Sequence, residues 1–432
     1  MTDIYEIAEY TLEALKKSGA DAAQCIVSKS KKDELNVDGG KFSLMRSTFN
    51  TSISMKAIKD GKKGVTSINQ ATKEAIDEAA DQCISAAQSS VPDEAEQIAP
   101  FTAKAEYKTG VFEPELDKLF DRIEEFISQT AAEYPKVILE QLISDYEHSE
   151  KLYMNTNGTS LKYEHGEYSF NTKFSAHEGE KASSFNGYFC ALNSLNKPFM
   201  DAGMQRQLLA ESEKQLDTVS TSEKFVGRVI YSPDCFNELL QTALENFASS
   251  GVLIDGTSPW KDALNTKVAS EKLNLRSVPL DGRTVVGQRF TSDGYPVEDM
   301  DIIIDGVLKT FILSQYGANK TGFPRSLNSG NNLEVLPGDK ALEEMISGID
   351  RGLIVNRFSG GQPSSNGDFS GVAKNSFLIE NGKVVSAVSE TMISGNIIDM
   401  LNNIVAVSKE QTTDGLSFMP WAEFDGVTVS GK

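Results

Sequence analysis

Within 235–248 the apolar side chains recur at Phe236, Leu239, Leu240, Ala243, Leu244 and Phe247. That spacing traces one buried helix face. Ser232-Pro233-Asp234 supplies a cap and a first-turn proline, and Gly251 followed by Gly256-Thr257-Ser258-Pro259 ends the helix. Lys267-Val268-Ala269-Ser270 then reads as the opening of a strand. The same helical period appears over 2–18 (Ile4, Ile7, Leu12, Leu15), 72–87 (Ile76, Ala79, Cys83, Ile84) and 113–133 (Leu116, Leu119, Phe120, Ile123, Ile127), and a further helix falls near 201–215.

Elsewhere the period shortens to two. Strands are expected over 22–28, 33–37, 41–46 and 50–58, with Asp60-Gly61 turning into Val65-Thr66-Ser67. Longer alternation covers 137–147, 151–155, 160–176 and 182–190, with Asn157-Gly158 as the strongest hairpin signal. Two apolar strands of one design follow, each broken by a turn, at Asp305-Gly306 and Asn381-Gly382, and then a helix over 397–403 and a strand over 405–407. Residues 91–110 and 217–223 keep no period and read as linkers. The pattern predicts an α+β protein, with N-terminal α/β units carrying antiparallel sheets and a β-rich C-terminal domain. Its three domains are expected at 1–95, 108–218 and 223–432.

Composition narrows the function classes. The chain has 432 residues, 39% hydrophobic and 24% charged, the profile of a globular protein with several cores. No run has the apolar length of a bilayer span, and Met1-Thr2-Asp3-Ile4-Tyr5 opens no signal segment. A cytoplasmic location without a membrane partner is therefore expected. With 42 basic and 62 acidic residues the net charge is −20, which repels phosphate and argues against nucleic acid as a partner. The cysteines, Cys25, Cys83, Cys190 and Cys235, form no C-x-x-C pair and are expected as buried free thiols.

The order of an apolar helix, Gly256-Thr257-Ser258 and Lys267-Val268-Ala269-Ser270 resembles the core of the TldD/PmbA family. The two hairpins, Asp368-Phe369-Ser370-Gly371 and Ser394-Gly395-Asn396, continue that order, so the resemblance covers nearly all of the chain and is most specific over 256–407. It implies a family in which a zinc peptidase subunit pairs with a metal-free sister. In the zinc subunit the helix carries His-Glu-x-x-x-His, two imidazoles for the metal and a carboxylate that activates water. Counting back from Gly256 without a gap, those positions fall on Gln241, Thr242 and Asn246. Neutral amides are poor zinc ligands, and a threonine hydroxyl is no general base near neutral pH. The family's late cysteine ligand has no counterpart either, since 414–418 reads Asp-Gly-Leu-Ser-Phe. The family's label as a modulator of DNA gyrase finds no support in the charge balance.

Other candidates are weaker. His177-Glu178 is the one His-Glu pair, but Gly179-Glu180-Lys181 behind it reads as a turn, and His148 and His165 are expected at the surface. Cys235 opens the key helix without a histidine nearby in sequence, which favours packing over nucleophilic chemistry. A glycine-rich approach over 360–367 leads into Asp368, where the family lines its inner cleft. The resemblance thus makes Asp368, Phe369, Gly371, Ser394 and Asn396 candidates for peptide contact.

The resemblance implies a PmbA/TldE-type subunit of a cytoplasmic metallopeptidase assembly acting on short or unfolded peptides. It implies no cofactor in this chain, zinc in a TldD-type sister subunit, and either that heteromer or a homodimer. Two other readings stay open: a stand-alone metallopeptidase with unrecognised ligands, and a non-enzymatic homodimeric peptide-binding scaffold.

Overall fold

A computed structural model describes every residue except 222, 362 and 432. These three fall in the expected linker 217–223, the glycine-rich loop 360–367 and the chain end. Helix α1 (Ile4–Lys17) begins at Asp3, whose carboxylate accepts from the amides of Tyr5 and Glu6. Strands β1 (Ala22–Asp38), β2 (Lys41–Lys59) and β3 (Lys62–Ile68) form an antiparallel meander. Helix α2 (Lys73–Ser89) returns beside α1, and both bury their apolar stripes against the sheet around Cys25, Val27 and Met55.

Instead of several short strands, β1 and β2 pair without a break from Ala22 opposite Ile58 to Asp38 opposite Lys41, with one irregularity at Asn36/Val37. The polar run 29–34 interrupts the side-chain alternation but not the ladder, because strand pairing uses backbone groups whatever the side chains are. Strand β4 (Lys104–Gly110) lies inside the segment expected as a linker and runs parallel to residues 160–166. Its side chains are at most half-buried, so it leaves little hydrophobic signal.

After α3 (Leu116–Glu133) come β5 (Val137–Asn155), β6 (Ser160–Glu178), β7 (Lys181–Ala182) and β8 (Asn186–Leu192). β5 pairs with β1 from Asp38 opposite Gln141 to Gln24 opposite Asn155. The strands on either side of residues 95–108 therefore share one sheet, ordered β3-β2-β1-β5-β6-β4 with β8 also on β6. Helix α4 (Gln205–Lys214) leads to β9 (Thr218–Val219), a short strand within the second expected linker, parallel to Lys383–Val388.

β10 (Phe225–Tyr231) then enters a second, mixed sheet, parallel to Arg351–Val355 and antiparallel to Phe418–Ser430. Helix α5 (Pro233–Ala248) lays the expected stripe on this sheet, with Phe236 edge-on to Phe424 and Phe247 against Trp260. Each such buried side chain contributes about 1.5–3 kcal/mol. Both expected hairpins form. Their turns put Asp305 and Gly306, and Asn381 and Gly382, in the left-handed region that a two-residue turn of this hand requires. Residues 267–270, expected as a strand, do not form one. The amides of Val268 and Ala269 both donate to the Gly306 carbonyl and that of Ser270 to Leu401, so the segment wraps a hairpin tip instead of extending a ladder. The architecture is α+β, as the pattern predicts, and among the described residues no helix is long and apolar enough to cross a membrane.

Candidate functional site

Helix α5 starts at Ser232, whose hydroxyl accepts from the Cys235 amide, and Pro233 occupies the first turn where its missing N–H costs nothing. Because its apolar stripe is committed to the sheet, the residues at Asn237, Gln241 and Glu245, one turn apart, are left on the other side. They form the roof of a cleft of about 920 Å³ between the two sheets. The floor is the face of the N-terminal sheet, with Ser28 and Ser30 from β1, Asn50 and Ser52 from β2, and Glu147, Ser149 and Lys151 from β5. Loops carrying Arg289, Asn332 and Ser417 close the walls.

The two segments singled out by the resemblance, 241–246 and 414–418, do approach each other here. The Asn237 amide donates to the Ser417 hydroxyl at 3.4 Å, and Gln241 donates to Asn237 at 3.4 Å. Asp414 folds its own turn, its carboxylate accepting from the amides of Leu416 and Ser417 and from the Ser417 hydroxyl. The three aligned positions themselves diverge. Gln241 faces the cleft, while Thr242 donates back to the Glu238 carbonyl and lines a separate recess of about 190 Å³. Asn246 lines neither. These amides and hydroxyls do not fit zinc, and among the described residues no group of three or more His, Cys, Asp or Glu side chains gathers to hold a metal ion.

The recess beside Thr242 is lined by Tyr231, Cys235, Leu239, Phe358 and Phe369. It receives one of the expected peptide-contact residues, Phe369, and the others lie close to it in the ladder. Asp368 pairs with Asn396, Ser370 with Ser394 and Gly371 with Ile393 across two antiparallel strands. The Asp368 carboxylate accepts from the side-chain amides of Asn366 and Asn396, hydrogen bonds that hold it below the usual carboxylate range. Asn396 in turn caps the helix Ile397–Asn402 through the Ile398 amide. At Gly371 a Cβ would stand 2.3 Å from the Phe358 ring, so only glycine fits there. The five residues thus gather on the recess side of α5, and none of them lines the cleft on the Gln241 side.

Cys235 is buried, and burial pushes its thiol well above the ordinary range despite the helix N-terminus, which disfavours the thiolate that nucleophilic attack needs. All four cysteines are free and buried. Asp234, at the mouth of a third cavity of about 770 Å³ shared with Glu238, Arg357 and Lys374, is open to solvent but hemmed in by protein. Burial, and then the charge of Asp414, raises its carboxyl to about 6. His165 corrects an expectation: it is buried, not at the surface, with Nδ1 beside the hydroxyl and carbonyl of Thr109 on β4. The unexpected strand β4 is what covers it. His148 is half-buried and meets Glu164 at 3.0 Å, and His177 is exposed at the end of β6 beside Ser175.

Lys151, Arg289, Asn237 and Glu245 line the cleft and were not singled out from sequence. Alternation could assign Lys151 a strand face, but not what stands opposite that face.

A cleft between two sheets, roofed by one amphipathic helix that turns amides toward it, characterises this α+β protein. The chain belongs to the PmbA/TldD family: residues 224–431 match the PmbA/TldA metallopeptidase C-terminal domain and residues 23–87 match PmbA/TldA metallopeptidase domain 1. It is 32% identical over 155 residues to Metalloprotease PmbA of Escherichia coli O157:H7, covering 35% of this chain and 34% of that one. It is 25% identical over 283 residues to a PmbA homolog of Buchnera aphidicola subsp. Acyrthosiphon pisum, covering 61% and 62%. The matched stretches therefore span less than two thirds of these relatives. The fold is that of TldE from Thermococcus kodakarensis, with a TM-score of 0.83 at 22% identity over 98% of this chain and 100% of that one.

Proposed function

We propose that this chain is the non-catalytic, TldE-type subunit of a cytoplasmic peptidase assembly. It holds an extended peptide in its cleft and works with a zinc-bearing TldD-type sister that hydrolyses short or unfolded peptides. The observation that carries this reading is the helix α5: it keeps its seat at the cleft, yet offers the Gln241 amide where the zinc subunits of the family carry an imidazole. A cleft floored by strand faces that carry serine hydroxyls, and roofed by the amides of Asn237 and Gln241, suits a peptide backbone, whose N–H and C=O groups need partners whatever its sequence.

The test is metal content and peptidase activity of this chain alone, and after co-expression with a family member that carries His-Glu-x-x-x-His. The expected outcome is neither zinc nor cleavage alone, and both in a co-purified complex. Stoichiometric zinc with chelator-sensitive cleavage by this chain alone would overturn the reading in favour of a stand-alone peptidase. Peptide binding by a homodimer that never captures the sister would favour the scaffold.

A further inference from the structure

We infer that the cleft contains a carboxylate-binding site built from Lys151 and Arg289, which takes the C-terminal or side-chain carboxylate of a bound peptide. The inference rests on the peptide-binding reading above and adds the polarity and chemistry of what is bound.

Both side chains line the cleft. They belong to one cluster: Lys151 on β5 is the direct cross-strand partner of Tyr163 on β6, and the Arg289 guanidinium lies over the Tyr163 ring at 5.6 Å. The Lys151 ammonium stands 5.8 Å from the ring of Phe290, the neighbour of Arg289. Both cations thus rest against rings of one aromatic cluster on the cleft wall.

Neither cation has a carboxylate within ion-pair distance among the described residues, although acidic side chains are close by. Glu150 is taken by Lys162 at 2.7 Å and Glu147 by Lys32 at 3.0 Å. Asp414 is occupied by its own turn, while Glu245 extends from the roof. In a chain with a net charge of −20, two cations left facing a cleft are the groups that want an external anion. Half-burial makes that demand stronger, since it pulls the Lys151 ammonium below the usual lysine range.

Arg289 is also built into position. Its Nη1 donates to the carbonyls of Pro279 at 2.6 Å and Gln288 at 3.1 Å. Gly287 makes room for this: a Cβ there would lie 2.1 Å from the Pro279 oxygen and 2.8 Å from Nη1 itself. One guanidinium nitrogen is fixed to the wall, and Nε and Nη2 are left without partners among the described residues. A planar fork with two free donors, beside an ammonium, matches a carboxylate better than a neutral carbonyl. Lys29 also borders the cleft, but its ammonium is turned to the Thr2 carbonyl.

The experiment uses fluorescence anisotropy with the full chain and three N-terminally labelled peptides of one alternating Ala/Val sequence. One has a free C-terminus, one a C-terminal amide, and one is an amide with glutamate as its last residue. Wild-type chain should bind the free acid about tenfold more tightly than the plain amide. Tighter binding of the glutamate amide would assign the site to side-chain carboxylates as well. Net charge alone would produce the opposite order, because the chain repels anions. Lys151→Met and Arg289→Met, checked for unchanged thermal melting, should each bring the acid down to the amide's affinity, while Lys151→Arg keeps most of the difference. If Arg289→Met fails to fold, Lys151→Met alone decides. Equal binding of acid and plain amide by wild-type chain overturns the carboxylate site and leaves peptide binding standing. Acid preference that survives both methionine variants overturns it too, and no binding of any peptide overturns both readings.

Discussion

On one flank of α5, Asn237, Gln241 and Glu245 look into an open cleft; on the other, Cys235, Leu239 and Thr242 close against Tyr231, Phe358 and Phe369. The closed flank is continuous with the core and tolerates little change. The open flank touches little of the fold beyond Ser417, so its side chains can be exchanged without moving the helix. The seat of a site helix and the chemistry it displays are therefore separable in this molecule. The side chain at 241 can change on the open flank while the buried contacts that position the helix persist.

Substitutions on the two flanks test that separation. The largest effect is expected at the seat itself. Phe247→Ala removes a fully buried ring packed on Trp260 and should cost about 3–5 kcal/mol in denaturant titration. A cost near zero would mean that α5 is not seated as described. Next comes Gly371→Ala, whose new methyl would meet the Phe358 ring. A loss of about 1–3 kcal/mol is expected, with peptide affinity in the cleft unchanged. Coupled loss of affinity would show that recess and cleft are not independent.

Asp234 gives a smaller, pH-dependent signal. Its carboxyl at about 6 lies above the unfolded value, so between the two the folded chain binds more protons. Stability contributed by this group therefore falls as pH rises through that window and levels off above it. Asp234→Asn should flatten the slope and stabilise the chain at alkaline pH, by less than about 1 kcal/mol because the carboxylate is open to solvent. An unchanged slope in thermal melts across that range would rule this out. The smallest effect is expected at Gln241→Ala, within about 0.5 kcal/mol of wild type by the same denaturant titration. A larger change would mean that the cleft flank takes part in holding the helix.

Much of this was legible in the sequence where periodicity reports burial. The α5 stripe, from Phe236 to Phe247, and the hairpins turning at Asp305-Gly306 and Asn381-Gly382 appear as the pattern predicts. The pattern was silent where backbone pairing carries the structure alone, in the polar middle of β1 and all of β4, and it misread residues 267–270, which wrap around Gly306 instead of forming the expected strand. The site was legible only in part for a related reason. Gln241 could be placed on a helix from its neighbours, but Lys151 and Arg289 become neighbours only once β5, β6 and the 286–290 loop are brought together. The peptide-contact expectation at Asp368, Phe369, Gly371, Ser394 and Asn396 picked out residues that do cluster, on the recess flank of α5.

The pairing of β1 between β2 and β5 also bears on how the chain is made. One neighbour of β1 follows immediately in sequence, and the other arrives only after Val137. A growing chain that has emerged through α2 can close the meander and both helices, but carries a bare strand edge from Gln24 to Asp38 until β5 is synthesised. Such an edge invites pairing with a second nascent chain, and its ladder of separated partners slows folding. The lysines at 29, 31 and 32 fall in the middle of that edge, where mutual repulsion between two copies would discourage the wrong partner during translation.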